Sequence, residues 1–175
     1  HVISGAKKIQ VTATNATGKE QTLPAEVLVA DPHSDLALIR FEGGPYVKAK
    51  LGSNKDIRRG LDVIAIGYPT PQYFNEGWDD IGENLTIVST WGKVSAIGTD
   101  WIMHQASVNG GNSGGPLFSK ADGSVVGINN SIKRFLPTDQ PGDERSLIEG
   151  FNFAIAIDEA NSRIKELETG TVVPN

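Results

Sequence analysis

The chain has 175 residues, a formal net charge of -5, no cysteine and three histidines. That length supports a hydrophobic core, and the dispersed negative charge argues against nucleic acid or an anionic membrane surface as the main partner. Without cysteine there is no disulfide or thiol chemistry. No apolar run approaches the ~20 residues of a bilayer-spanning helix, so no integral membrane segment is expected. Scattered histidines make no metal-ligand cluster, and neither a metal site nor another cofactor is read from the residues.

Short strands separated by turn residues dominate the chain. Lys8 to Thr14 alternates, with Ile9, Val11 and Ala13 on one face, and Ala16-Thr17-Gly18-Lys19 reads as a hairpin turn. Leu23 to Ala30 and Leu36 to Phe41 read as two further strands linked by Asp31-Pro32-His33-Ser34. Asp62 to Tyr68 is an apolar, buried strand. Leu85 to Ile97 is one long strand or a bent pair, and Trp101 to Gln105, Leu117-Phe118, Val125 to Ile132 and Phe151 to Ile157 complete the set. Such a pattern belongs to a β-barrel or sandwich. The last element is a helix: Asp158 is its expected cap, Ala160, Ile164 and Leu167 give it an apolar stripe, and Gly170 closes it. Pro69 to Asn84 and Phe135 to Gly150 read as long surface loops.

Chemistry concentrates in Gly111-Asn112-Ser113-Gly114-Gly115-Pro116-Leu117, a serine in a glycine-rich turn that runs into an apolar strand. Acyl transfer needs a hydroxyl on a rigid support, with backbone N–H groups beside it free to point at a developing oxyanion. Gly111 allows a conformation in which its N–H and that of Ser113 can aim at one spot. A serine nucleophile needs a base that takes a proton near neutral pH. His1, His33 and His104 are the candidates, and spacing alone does not choose among them. His104, in a strand, reads as a residue satisfied by the backbone. For the acid that orients the base, Asp35 precedes the apolar strand Leu36-Ala37-Leu38-Ile39, whereas Asp31 before Pro32 reads as a turn former.

Taken together, the motifs resemble the HtrA/Deg branch of the trypsin-like serine proteases. The blocks are His1-Val2-Ile3 with Gly5-Ala6; Asp31-Pro32-His33-Ser34-Asp35-Leu36-Ala37-Leu38; Ala65-Ile66-Gly67-Tyr68-Pro69; and Asn109 to Leu117, followed by Gly127-Ile128-Asn129 and Gly150-Phe151-Asn152-Phe153-Ala154-Ile155. The order His, Asp, Ser is that of the chymotrypsin-type fold.

The resemblance implies an all-β fold of two six-stranded antiparallel β-barrels with a C-terminal helix. Residues 1–75 would be the remainder of the first, incomplete barrel, 76–157 the second barrel and 158–169 the helix. It implies Ser113 as nucleophile, His1 as general base and Asp35 as its orienter, with Gly111, Asn112 and Ser113 building the oxyanion hole. Ser107, Asn130, Ser131 and Ile132 would line the primary specificity pocket. With no acidic side chain at Ser107, the expected preference is for small or medium apolar residues. Relatives carry strands before the histidine, often a PDZ domain after the helix, and often trimerise; the chain therefore reads as an N-terminally truncated protease domain without PDZ. The implied partners are unfolded or damaged polypeptides, in the bacterial periplasm, envelope or secreted space. A protease-fold module that binds peptide without cutting, or acts as a chaperone, is the alternative.

Overall fold

In a computed structural model of the chain, residues 1–68, 87–130 and 152–168 are described. The loops expected at 69–84 and 135–150, and Gly170, lie outside these residues. The chain divides into two compact units, His1–Ala49 with Ala160–Asn175, and Lys50–Glu159.

The first unit is built on a three-stranded antiparallel sheet in the order β1-β2-β3. The strands are β1 (Ile9–Thr14), β2 (Glu20–Asp31) and β3 (Leu36–Phe41). β1 alternates between half-buried and exposed residues, as the sequence predicts, with Ile9, Val11 and Ala13 on the covered face. The β1–β2 hairpin turns on Asn15, whose Oδ1 accepts from the Thr17 N–H (3.0 Å), the Thr17 hydroxyl (2.7 Å) and the Lys19 N–H (3.0 Å). That side chain mimics a backbone turn and closes the hairpin. A bulge between Val27 and Val29 shifts the β2–β3 register and bends the long strand.

The second unit is a closed barrel in the order β4-β5-β6-β9-β8-β7. Its strands are β4 (Asp62–Gly67), β5 (Val88–Ile97), β6 (Trp101–His104), β7 (Pro116–Ser119), β8 (Val125–Asn130) and β9 (Asn152–Ala156). Inward positions follow the two-residue period: Val63 and Ala65 from β4, Ile102 from β6, Leu117 from β7, Val126 from β8, and Ala154 and Ala156 from β9 form one core with Val94 and Ala106. Of the expected Leu85 to Ile97, Val88–Ile97 is one strand with a bulge between Val94 and Ala96, and Leu85 and Thr86 lie outside the described residues. β4 is a stave of this barrel, and the second unit spans Lys50–Glu159. Strand pairing decides this: Asp62–Gly67 hydrogen-bonds to β5 on one side and β7 on the other.

The helix α1 spans Ile157–Glu168. Asp158 lies inside it and not at its cap. Its carboxylate accepts from the Asn54 N–H (2.9 Å) and the Ser53 hydroxyl (3.1 Å), while its own N–H donates to Asn54 Oδ1 (3.3 Å). The reciprocal bonds satisfy orphan N–H groups at the starts of α1 and of the short 3-10 turn Asn54–Asp56.

Candidate active site

In the first unit the β2–β3 connection is a tight polar turn. The Asp31 carboxylate accepts from the His33 N–H (2.9 Å) and the Ser34 hydroxyl (2.5 Å). The Ser34 bond is the main reason its carboxyl is held below the usual range, with smaller contributions from the turn's N–H groups and the Arg163 guanidinium, opposed by desolvation. Asp31 is the turn former, and His33 contributes its backbone N–H to the turn. The turn delivers Asp35 with φ of 56°, the only non-glycine residue in the left-handed region among the described residues. Such a conformation costs about 1–2 kcal/mol and persists where surrounding structure imposes it, most often at functional sites. Here Leu36, 8% exposed, pins the next position into the first unit.

The geometry gives the strained residue a partner. Asp35 Oδ2 lies 2.6 Å from His1 Nδ1, and Oδ1 lies 2.5 Å from the nitrogen of residue 1, a donor whether amine or amide. A carboxylate only accepts, so Nδ1 carries the proton and Nε2 is left as the acceptor. The Asp35 side chain is 15% exposed and that of His1 45%, so the carboxylate is largely withdrawn from water while the ring remains accessible. A fixed tautomer with a charge ready to stabilise the imidazolium is the arrangement a general base needs.

In the second unit Ser113 sits on a loop fastened by Tyr68, by Asn129 and by bonds of its own. The Tyr68 N–H, at the end of β4, donates to the Gly111 carbonyl (3.1 Å). Within the loop the Asn112 N–H donates to Asn109 O (3.0 Å) and the Gly115 N–H to Asn112 O (2.9 Å). Asn129 of β8 accepts from the Gly114 N–H and donates to the Gly115 carbonyl, both at 2.8 Å. Gly111 has φ of 100°, a region closed to side-chain-bearing residues. Among the described residues, neither the Gly111 nor the Ser113 N–H donates a backbone hydrogen bond. Asn112 is 4% exposed and packs on Gly67, where an added Cβ would stand 2.2 Å from Asn112 Oδ1 and 2.7 Å from its Cα. Gly67 thus lets the loop settle on β4, and Asn112 is a buried support of the loop.

The remaining expected residues fall in different places. Ser107 is exposed, and its carbonyl accepts from the Thr90 hydroxyl (2.7 Å). Asn130 is 4% exposed at the end of β8, paired in register with Phe153. Ser131 and Ile132 lie outside the described residues. His104 departs from the expectation that the backbone satisfies it: it is fully buried, and neither ring nitrogen has a hydrogen-bond partner of acceptable geometry. The Ala106 backbone and the Asn129 side chain lie near enough to raise its proton affinity somewhat. Desolvation dominates and lowers its pKa to about 4, so the ring is neutral near pH 7. Asn129 was missed as a site residue because its role is a tertiary one; Gly127-Ile128-Asn129 after the serine block was its only local signal.

A family model described as trypsin-like peptidase domain matches residues 1–128. A probable periplasmic serine endoprotease, DegP-like, of Pseudomonas fluorescens is 36% identical over 178 residues, covering 97% of this chain and 32% of that protein. The putative serine protease HhoA of Synechocystis is 33% identical over 183 residues, covering all of this chain and 40% of that protein. Serine protease PepD of Mycobacterium tuberculosis is 35% identical over 161 residues, covering 90% and 34%. The chain therefore spans roughly a third of the length of these relatives. Among solved structures, the HtrA-type protease AlgW with a decapeptide superposes with a TM-score of 0.71 at 28% identity, over 97% of this chain and 46% of AlgW.

Proposed function

Because the chain belongs to the trypsin-like peptidase family, we propose that it forms the catalytic part of a serine endopeptidase in which Asp35, His1 and Ser113 act as a triad. The observation that carries this reading is the Asp35–His1 pair: a strained, largely buried carboxylate held 2.6 Å from Nδ1 leaves Nε2 as the proton acceptor.

His1 Nε2 takes the Ser113 proton as Oγ attacks the scissile carbonyl carbon. The C=O π electrons move to oxygen, and the N–H groups of Gly111 and Ser113 receive the resulting oxyanion, with Asn112 supporting the loop. Collapse breaks the C–N bond. The leaving amine takes the proton back from His1, and the acyl group remains on Ser113. Water, deprotonated by the same ring, then releases the acid. Asp35 stays ionised throughout and stabilises the imidazolium.

Ser107, Asn130, Ser131 and Ile132 form the primary pocket in this reading. With no carboxylate at Ser107 to pair with a basic side chain, cleavage follows small or medium apolar residues such as Val, Ala or Ile. The substrates are unfolded or damaged polypeptides in the bacterial envelope. Support comes from relatives named periplasmic endoproteases and from a neighbour solved with bound peptide.

The test is intact-mass analysis after exposure to a fluorophosphonate, on this chain and on a version extended upstream of His1. Labelling that Ser113→Ala abolishes and Asp35→Asn strongly slows is expected in at least one of the two. If neither version labels while both are folded, the triad reading is wrong and the alternative, a protease-fold module that does not cut, takes its place.

A further inference from the structure

We propose that His104 is a positioning residue for the Ser113 loop, acting through Asn129 in the barrel interior. The proposal rests on the protease reading for its kinetic consequence, and on the second unit alone for its structural one.

Three polar atoms are buried there without a partner: His104 Nδ1, His104 Nε2 and Asn129 Oδ1. Buried polar groups are rarely left unpaired, and a cluster of them calls for a role. The topology brings them to one place. β6 and β8 both pair with β9; Ile102 and Asn129 both stand opposite Ala154, and His104 stands opposite Asn152 in the adjacent inward register. The Asn129 side chain is near enough to the imidazole to act on its proton affinity. A neutral imidazole has one N–H to give, and Asn129 Oδ1 is the acceptor that lacks a donor. Donation to Oδ1 fixes which way the Asn129 amide is turned. Its Nδ2 then stays on the Pro116 carbonyl, where it is found at 3.1 Å.

Asn129 holds the three residues that follow the nucleophile. It accepts the Gly114 N–H, donates its own N–H to the Gly115 carbonyl, and reaches the Pro116 carbonyl with its side chain. Ser113 is the next residue back along the chain. The bridge from His104 through Asn129 to these three residues therefore sets how firmly the serine is presented. The groups acting on the ring among the described residues, the Ala106 backbone and the Asn129 amide, are neutral.

The experiment compares wild type, His104→Leu and His104→Gln by amide hydrogen exchange and by hydrolysis of an apolar-site peptide. His104→Leu is expected to speed Gly114 amide exchange about tenfold, while the Val94 and Ala156 amides of the same barrel, bonded to the Leu61 and Asp100 carbonyls, stay protected. It is also expected to lower kcat about tenfold with KM changed less than about twofold, as loss of preorganisation does. His104→Gln, which keeps a donor, recovers most of both. Unchanged Gly114 exchange in His104→Leu overturns the proposal, and so does equal loss of protection at all three amides. If wild type does not hydrolyse peptide, the protease reading falls and the exchange data still decide this one. If His104→Leu does not fold, the wild-type ring decides by nitrogen NMR: a neutral imidazole with a slowly exchanging N–H supports the bridge, and a ring charged at pH 7 or a fast-exchanging N–H refutes it.

Discussion

His104 makes the acid stability of this chain predictable. The ring is fully buried, and desolvation lowers its pKa from 6.5 to about 4. The unfolded chain binds a proton near pH 6.5, whereas the folded chain resists until about pH 4. Between those values the unfolded state holds more protons, so stability falls as pH falls. The contribution is fully present above pH 6.5, is lost progressively down to about pH 4, and changes little below. Converted at 1.36 kcal/mol per unit, the shift is worth about 3 kcal/mol, a large part of the margin of a small domain. Carboxylates with depressed pKa values, Asp31, Asp62 and Asp122, lose their contributions lower on the pH scale, as pH falls through their folded values. Urea unfolding followed by tryptophan fluorescence at pH 7.5, 6, 5 and 4.5 is the assay, on wild type and His104→Leu. Wild type should lose about 2–3 kcal/mol more than the variant across that range. Both chains retain His1 and His33, so the difference isolates the buried ring. Parallel pH profiles for the two chains would refute the assignment of the acid lability to this side chain.

Other perturbations have equally local readouts. Gly67→Ala drives a methyl group into Asn112, 2.2 Å from its Oδ1, and should cost about 1–3 kcal/mol and slow probe labelling at Ser113 by displacing the loop; equilibrium unfolding and labelling rates check this. Leu117→Ala empties a fully buried position of the barrel core and should destabilise by about 2–5 kcal/mol, read as a lower thermal midpoint. Asp35→Asn keeps the shape beside His1 but loses the charge and the obligate acceptor, so hydrolysis should fall by about four orders of magnitude. Asp31→Ala removes the Ser34 and His33 bonds of the turn and should cost about 1 kcal/mol with a far smaller effect on hydrolysis; equal losses in these two variants would overturn the division of labour between the aspartates.

Much of this molecule is set by short-range sequence. The two-residue period of Ile9, Val11 and Ala13, the strand from Leu36 to Phe41 and the turn chemistry of Asp31 are all local facts, and the structure has them where the sequence places them. Ser113 and Asp35 stand out as candidates on equally local grounds, because glycines around a serine and an aspartate before an apolar strand are adjacent in the chain. The histidine was not. Among His1, His33 and His104 nothing within a few residues chooses, and only the resemblance favoured His1; its approach to Asp35 is a contact across 34 positions.

Tertiary structure alone decided the rest, for one physical reason: these features depend on partners brought in by strand pairing. Asp62–Gly67 is a stave of the closed barrel because β5 and β7 bond its two edges, whatever its own sequence allows. Asp158 serves the Ser53–Asn54 turn because β9 delivers the start of α1 to it. His104 is neutral and unpaired by the backbone because β6 turns it into the barrel beside a residue 25 positions further along the chain. Local sequence chose the strands and the serine turn; long-range packing chose which polar side chains lost their water, and that loss sets their chemistry.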